Sequence, residues 1–156
     1  MGGLYKARSK TDEFGAFTPQ PIKEGDVISV WDGPYAEKLP DSDLAKFYLY
    51  IRPNKWLVGF GGDYAESFIN HSCDPNAEIA WTGDIATLVA IRNIEPCEEI
   101  TFDYGTVIPP GDNFTFSCTC GAVKCRETIC AESFRFHRSN LHLVTQKSED
   151  GARSRK

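Results

Sequence analysis

Three short stretches concentrate side chains able to do chemistry: FINHSCDPN at 68–76, EEITFDY at 98–104 and CTCGAVKC at 118–125. The first offers an amide (Asn70), an imidazole (His71) and a thiol (Cys73). That set suits a catalytic centre, part of a metal site or a polar turn shaped by Pro75. The third stretch is less ambiguous. Cys118, Cys120 and Cys125 bring three sulfurs together around a turn that Gly121 helps to make. Thiolates are soft donors, and zinc takes four ligands in a tetrahedron with sulfur at about 2.3 Å. One vertex is left open, for which Cys73, Cys97, Cys130 and the histidines are candidates. A zinc closed by four sulfurs is shielded from water and is structural rather than catalytic. In a reducing compartment, clustered cysteines mean metal more often than disulfide.

The elements that must position these groups read as short strands. At 156 residues, 41% of them hydrophobic, the chain is long enough to bury one respectable core. A strand is expected over Phe14–Thr18, a turn over 21–26 and a strand over 27–31, closed by Asp32-Gly33-Pro34. Asp41 or Ser42 caps an expected helix over 43–49. Ala77–Trp81 and Ile85–Ile91 form a hairpin about Thr82-Gly83, and Asn93–Glu98 turns the chain into EITFDY. The fold class is therefore mainly β with few short helices, and βαβ alternation is not seen. GFGG at 59–62 lacks the third glycine and the following helix of a dinucleotide loop. It reads as close backbone packing or a turn.

Charge and composition narrow the partners. The net charge of −5 argues against a protein that mainly grips phosphates, and suits a basic partner. No apolar run approaches the roughly 20 residues that span a bilayer. The opening MGGLYKARSK lacks the apolar core of a signal peptide, so the expected compartment is intracellular. The polar stretch after about 145 is expected to be disordered.

FINHSCDPN, then EEITFDYG, then CTCGAVKCR, in this order on a β-rich chain, resembles the SET-domain protein lysine methyltransferases with their post-SET segment. The resemblance covers roughly residues 4–130. It implies a fold of short sheets with a knot-like core, in which the segment at 68–73 threads beside the segment at 98–104. It implies a SET domain over 4–110, a post-SET zinc-binding segment over 111–131 and a C-terminal extension over 132–156. The implied cofactor is S-adenosyl-L-methionine, near Phe14, Gly15, Asn70 and His71, with the substrate lysine entering from the other face.

The resemblance assigns the chemistry to Tyr104, whose hydroxyl would lie beside the transferred methyl. Tyr48, Phe102 and Trp31 would line the lysine channel. Phenylalanine at 102, where other members carry tyrosine, implies room for di- or trimethylation. Phe102 and Tyr104, two apart, would face one side of a strand. Cys73 becomes the fourth zinc ligand beside Cys118, Cys120 and Cys125, and Phe134 or Phe136 would cover the cofactor.

Three positions depart from the family pattern. Glu13 replaces the first glycine of a G-x-G stretch, Trp31 replaces a tyrosine, and Ser67 stands where an arginine usually precedes Phe-Ile-Asn-His. The expected partner is a lysine-containing protein such as a histone tail, in the nucleus or on chromatin if the source is eukaryotic, with no direct nucleic-acid contact. The alternative is a catalytically silent SET-like module that binds zinc and a peptide.

Overall fold

The computed structural model describes residues 3–42, 47–59 and 61–131. Within them the chain forms twelve short strands: β1 (Tyr5–Arg8), β2 (Phe14–Phe17), β3 (Val27–Trp31), β4 (Tyr35–Ala36), β5 (Tyr48–Arg52), β6 (Lys55–Val58), β7 (Asn70–His71), β8 (Ala77–Thr82), β9 (Ile85–Ala90), β10 (Glu99–Phe102), β11 (Thr115–Ser117) and β12 (Thr128–Cys130). Two single turns of 3-10 helix, Ala65–Phe68 and Tyr104–Val107, flank the strands that matter most. The described residues are thus mainly β, and none of their helices is long and apolar enough to cross a membrane.

The strands pair into sheets ordered β1-β2-β10-β7, β3-β9-β8, β4-β6-β5 and β11-β12. β7 runs parallel to β10, with Asn70 opposite Thr101 and His71 opposite Phe102. The two motif segments therefore lie side by side, as the resemblance implies. Asn76 locks them together from a fully buried position. Its amide nitrogen donates to the Glu99 carbonyl at 2.7 Å and its oxygen accepts from the Thr101 N–H at 2.9 Å. Such a buried amide must be paired, because an unmet polar group there costs roughly 1–3 kcal/mol. Around this seam Leu57, Leu88, Ile94 and Ile100 form the driest part of the core.

The expected hairpin is present as β8 and β9, paired from Ala77–Ala90 to Thr82–Ile85, with Gly83 at a φ of 61° in its turn. The expected helix over 43–49 is corrected at its end, where Tyr48 and Leu49 belong to β5; Phe47 before them is in 3-10 conformation, and 43–46 lie outside the described residues. β5 and β6 form a hairpin about Pro53-Asn54, with Asn54 at a φ of 57°. Asparagine tolerates that left-handed turn, and aromatic and aliphatic side chains on both arms favour strand. GFGG packs the backbone closely at its first glycine: a Cβ on Gly59 would lie 2.6 Å from the Phe47 carbonyl. Phe60 lies outside the described residues, as do Phe134, Phe136 and the tail after 145.

The tips of two hairpins are tied by charge. Asp84, between β8 and β9, pairs with Lys55 and Arg52. Hydrogen bonds from Lys55, then Arg52, hold its carboxyl below the usual range. A depressed folded value means the contribution is present above the unfolded carboxylate range and lost as pH falls through the folded one. Asp84→Asn should therefore lower Tm at neutral pH, the deficit shrinking in acid. Thermal unfolding across a pH series checks this, and a deficit independent of pH would refute it.

Candidate functional site

Tyr104 follows β10 by one residue, Asp103, and opens the 3-10 turn, so it does not share a strand with Phe102. Asp103 caps that turn, its carboxylate accepting from the Gly105 N–H at 3.0 Å. The turn swings the Tyr104 ring towards Phe102, with ring centroids 5.0 Å apart, so the two aromatics meet without sharing a strand. The Tyr104 hydroxyl donates to the Ile69 carbonyl at 2.7 Å, just before Asn70. Burial, then the charges of Asp12 and Glu99, push its pKa above the ordinary phenol value. The phenol stays neutral, and the oxygen that donates to Ile69 keeps lone pairs free to accept.

Asn70 ties three elements. Its amide nitrogen donates to the Phe14 carbonyl at 2.8 Å and to the Glu99 carboxylate at 2.7 Å. Glu99 also accepts from the Ser9 hydroxyl at 2.9 Å. A Cβ at Gly15 would fall 2.2 Å from the Glu99 carboxylate oxygen, so a larger residue there would displace that carboxylate from Asn70. Phe14, Gly15 and Asn70, expected near one another, are thus brought together. Beside them the Lys6 ammonium stands 4.2 Å from the Phe14 ring centre and 3.8 Å from that of Phe68. Two aromatic faces there accept a cation. Glu13 is exposed on the loop before Phe14, 3.9 Å from Arg8. Ser67 has its hydroxyl enclosed without a hydrogen-bond partner among the described residues.

Of the three expected channel residues, Phe102 is buried against Tyr104, and Tyr48 opens the strand that packs on the Tyr104 turn. Trp31 ends β3 opposite Ala86, buried in the main core against which Tyr104 also packs.

Of the four expected cysteines, Cys73, Cys118 and Cys120 come together with His71, their ligand atoms all within 4.8 Å of one another, and Cys125 stands outside that group. The Cys73 and Cys118 sulfurs are 3.6 Å apart, while the Cys125 thiol donates to the Cys118 carbonyl at 3.7 Å. Gly121, at a φ of 72°, makes the reversal that only a residue tolerant of the left-handed region makes cheaply. Backbone N–H groups point at the sulfurs: Cys73 at Cys120, Arg126 at Cys73 and Glu127 at Cys125, each at 3.4 Å. Burial pushes the Cys118 thiol up to about 12. Burial also opposes ionisation of Cys120, but backbone N–H groups of Cys73 and Ala122 and the neighbouring thiols bring it down to about 6. Thiols this close cannot all ionise unless a cation sits among them, so the donor set fits a zinc ion.

His71 lies within the same group of potential ligands as Cys73, Cys118 and Cys120. Its tautomer decides its part. Nδ1 accepts from the Tyr104 N–H at 3.1 Å, so in the neutral ring the proton is on Nε2, which faces the Cys73 sulfur at 3.3 Å. Burial lowers the imidazole pKa, against the pull of Asp103. A protonated Nε2 donates to sulfur and cannot bind metal.

Sequence reasoning missed Lys6, Glu99, Asp103 and Arg126. The signals were adjacency: Asp103 precedes Tyr104 and Arg126 follows Cys125. Arg126 Nη1 and Nη2 reach the two Asp103 oxygens at 2.7 and 2.8 Å.

Side-by-side motif strands, a half-buried tyrosine between them and a cluster of cysteines with a histidine define a class, and comparison agrees. The chain belongs to the SET-domain family, whose model matches residues 13–105. It is similar to the histone-lysine N-methyltransferase Su(var)3-9 of Drosophila pseudoobscura pseudoobscura, 30% identical over 81% of this chain and 24% of that protein. It also resembles the histone-lysine N-methyltransferase Set2 of Drosophila melanogaster, 44% identical over 69% of this chain and 5% of that protein. Among solved structures it matches KRYPTONITE in complex with mCHH DNA, H3(1-15) peptide and SAH. That match has a TM-score of 0.61 and 28% identity, covering 81% of this chain and 29% of the other. The chain therefore spans less than a quarter of the length of the two curated relatives.

Proposed function

We propose that this chain is an S-adenosylmethionine-dependent protein lysine N-methyltransferase with a structural zinc. The observation that carries the reading is the Tyr104 hydroxyl anchored on the Ile69 carbonyl at 2.7 Å, where the two motif strands meet. Membership of the SET family and the names of the relatives support it. The proposed substrate is a lysine in a basic protein segment such as a histone tail, on chromatin in a eukaryotic nucleus. The net charge of −5 supports that choice and argues against direct nucleic-acid binding. The proposed divisions are a SET domain over 4–110, a zinc segment over 111–131 and an extension over 132–156.

The residues fit a cationic cofactor. Phe14 and Phe68 accept the chain's own Lys6 ammonium, and β7 is the last strand of its sheet among the described residues. Bound S-adenosylmethionine supplies a methyl group activated on a sulfonium. The chain's part is to hold a neutral amine in line and to place oxygens around the polarised methyl. Tyr104 presents one such oxygen. Tyr48, Phe102 and Trp31 are the proposed channel walls, and burial there disfavours the charged ammonium. Cys73, Cys118, Cys120 and Cys125 are the proposed zinc ligands, with His71 donating to Cys73.

Phe102 is proposed to permit more than one methylation. Phe102→Tyr adds a hydroxyl in a tight site beside Tyr104. It should cut the ratio of di- and trimethyl to monomethyl product roughly tenfold, read by mass spectrometry of the peptide. An unchanged product ratio would remove Phe102 from that role. The function itself is tested by incubating a histone and peptide panel with labelled cofactor and reading substrate, site and methylation state together. Absence of cofactor binding by titration calorimetry would favour the silent module instead.

A further inference from the structure

Two chains of contacts run from the cysteine cluster to the Tyr104 turn. One passes from the Cys73 sulfur through the His71 ring to the Tyr104 N–H. The other starts at Arg126, the residue after Cys125. Its backbone N–H donates to the Cys73 sulfur, and its guanidinium grips both oxygens of Asp103. Asp103 in turn caps the turn through the Gly105 N–H, and its carbonyl accepts from the Thr106 N–H and hydroxyl at 3.1 and 2.7 Å. Asp103 also lies 3.6 Å from His71 Nδ1, so both routes end on the same turn. A planar guanidinium in a two-pronged contact fixes direction as well as distance.

We propose that Arg126 is a positioning residue for methyl transfer, setting the Tyr104 turn in register with the metal-held segment. This rests on the lysine methyltransferase reading given above. The pair is well placed for the task, because Arg126 is immobilised at its backbone by the cluster and at its side chain by the turn. A fully exposed ion pair would contribute little, but here Asp103 is mostly covered and shares its oxygens with the cap. Loss of the pair removes one anchor of the turn and leaves the Tyr104 bonds to His71 and Ile69 to hold it. A small displacement of the Tyr104 oxygen is enough to slow transfer, since misplacement by about 1 Å costs up to roughly a hundredfold.

The test compares Arg126→Gln, Asp103→Asn and the double variant in the zinc-loaded protein. Asparagine keeps an oxygen for the Gly105 cap and loses the charge pair from the side away from the cluster. Each single variant should keep its zinc and its KM for peptide. kcat should fall roughly tenfold and amide exchange at 104–106 should quicken roughly tenfold. The double variant should be no worse than either single one, since both remove one interaction. Additive losses, unchanged kcat and exchange in zinc-retaining variants, or loss of zinc from both would overturn the proposal. Should the wild type transfer no methyl group at all, the functional reading fails. The exchange data then decide the coupling alone: faster exchange at 104–106 in the variants upholds it, and unchanged exchange overturns it.

Discussion

Tyr104→Phe is expected to lower kcat for methyl transfer roughly a hundredfold while leaving cofactor affinity within about threefold of wild type. The substitution deletes one oxygen and nothing else. That oxygen donates to the Ile69 carbonyl, so its lone pairs are turned by a fixed bond towards the site. The lost hydrogen bond costs the fold about 1 kcal/mol. A hundredfold in rate corresponds to about 2.7 kcal/mol of transition-state stabilisation. Destabilisation on that scale would leave the protein folded, so the rate effect is separable from it by measuring Tm beside kcat. The pH profile separates two roles for the oxygen. Burial, then Asp12 and Glu99, raise the phenol above its ordinary value, so it does not titrate in the assay range. The rising limb belongs to the substrate amine, whose ordinary pKa is about 10.4. The variant's profile should run parallel to that of the wild type at lower height. If the limb vanished with the hydroxyl, Tyr104 would be a base and its proposed role would be wrong.

Much of the site was readable because its parts are local. Asn70, His71 and Cys73 fall in one loop, and Cys118, Cys120 and Cys125 in another, so residue type and spacing point to their chemistry. The parallel pairing of β7 with β10 follows from two motifs that each bury a strand beside the other. What stayed hidden depends on distant partners or on turns of unusual geometry. Tyr48-Leu49-Tyr50 follows a plausible helix cap at Asp41, and the turn at Pro53-Asn54 that makes it a hairpin arm lies beyond the window that suggested the helix. Glu99 stands in a run of two acids, and only the fold shows that Asn70 and Ser9 both donate to it. Arg126 and Asp103 each adjoin a motif, but their pairing appears only when the cysteine turn is laid over the Tyr104 turn. β11 and β12 were missed for a similar reason. Their residues give no strong alternation, and they pair because they bracket the cysteine turn, with Phe116 opposite Ile129.

Cys73→Ser should weaken zinc binding by more than roughly a hundredfold, exceeding the 10–100-fold typical of losing a residue that only supports a ligand. The reason lies in what Cys73 joins. It is 45 residues from Cys118 in sequence, yet its sulfur contacts that of Cys118 and receives the Arg126 N–H and the His71 ring. A metal bound through Cys73 therefore fastens the segment after Cys118 to the loop beside β10. Its loss should quicken amide exchange over 118–130 as well as lower metal content. Cys125→Ser should match it, because Cys125 is one of the four proposed ligands, its sulfur beside the Cys118 carbonyl at 3.7 Å. His71→Phe should cost less, within the 10–100-fold range, since a ring that donates through Nε2 supports a sulfur without binding the ion. Binding through Nε2 would require the proton on Nδ1, and that would break the bond from the Tyr104 N–H. Competition for zinc with a chelator of known affinity, run on the three variants together, reads the order directly. If His71→Phe lost zinc as completely as Cys73→Ser while Cys125→Ser kept it, the fourth ligand would be the imidazole. The bond from the Tyr104 N–H to Nδ1 would then have to break whenever the metal binds.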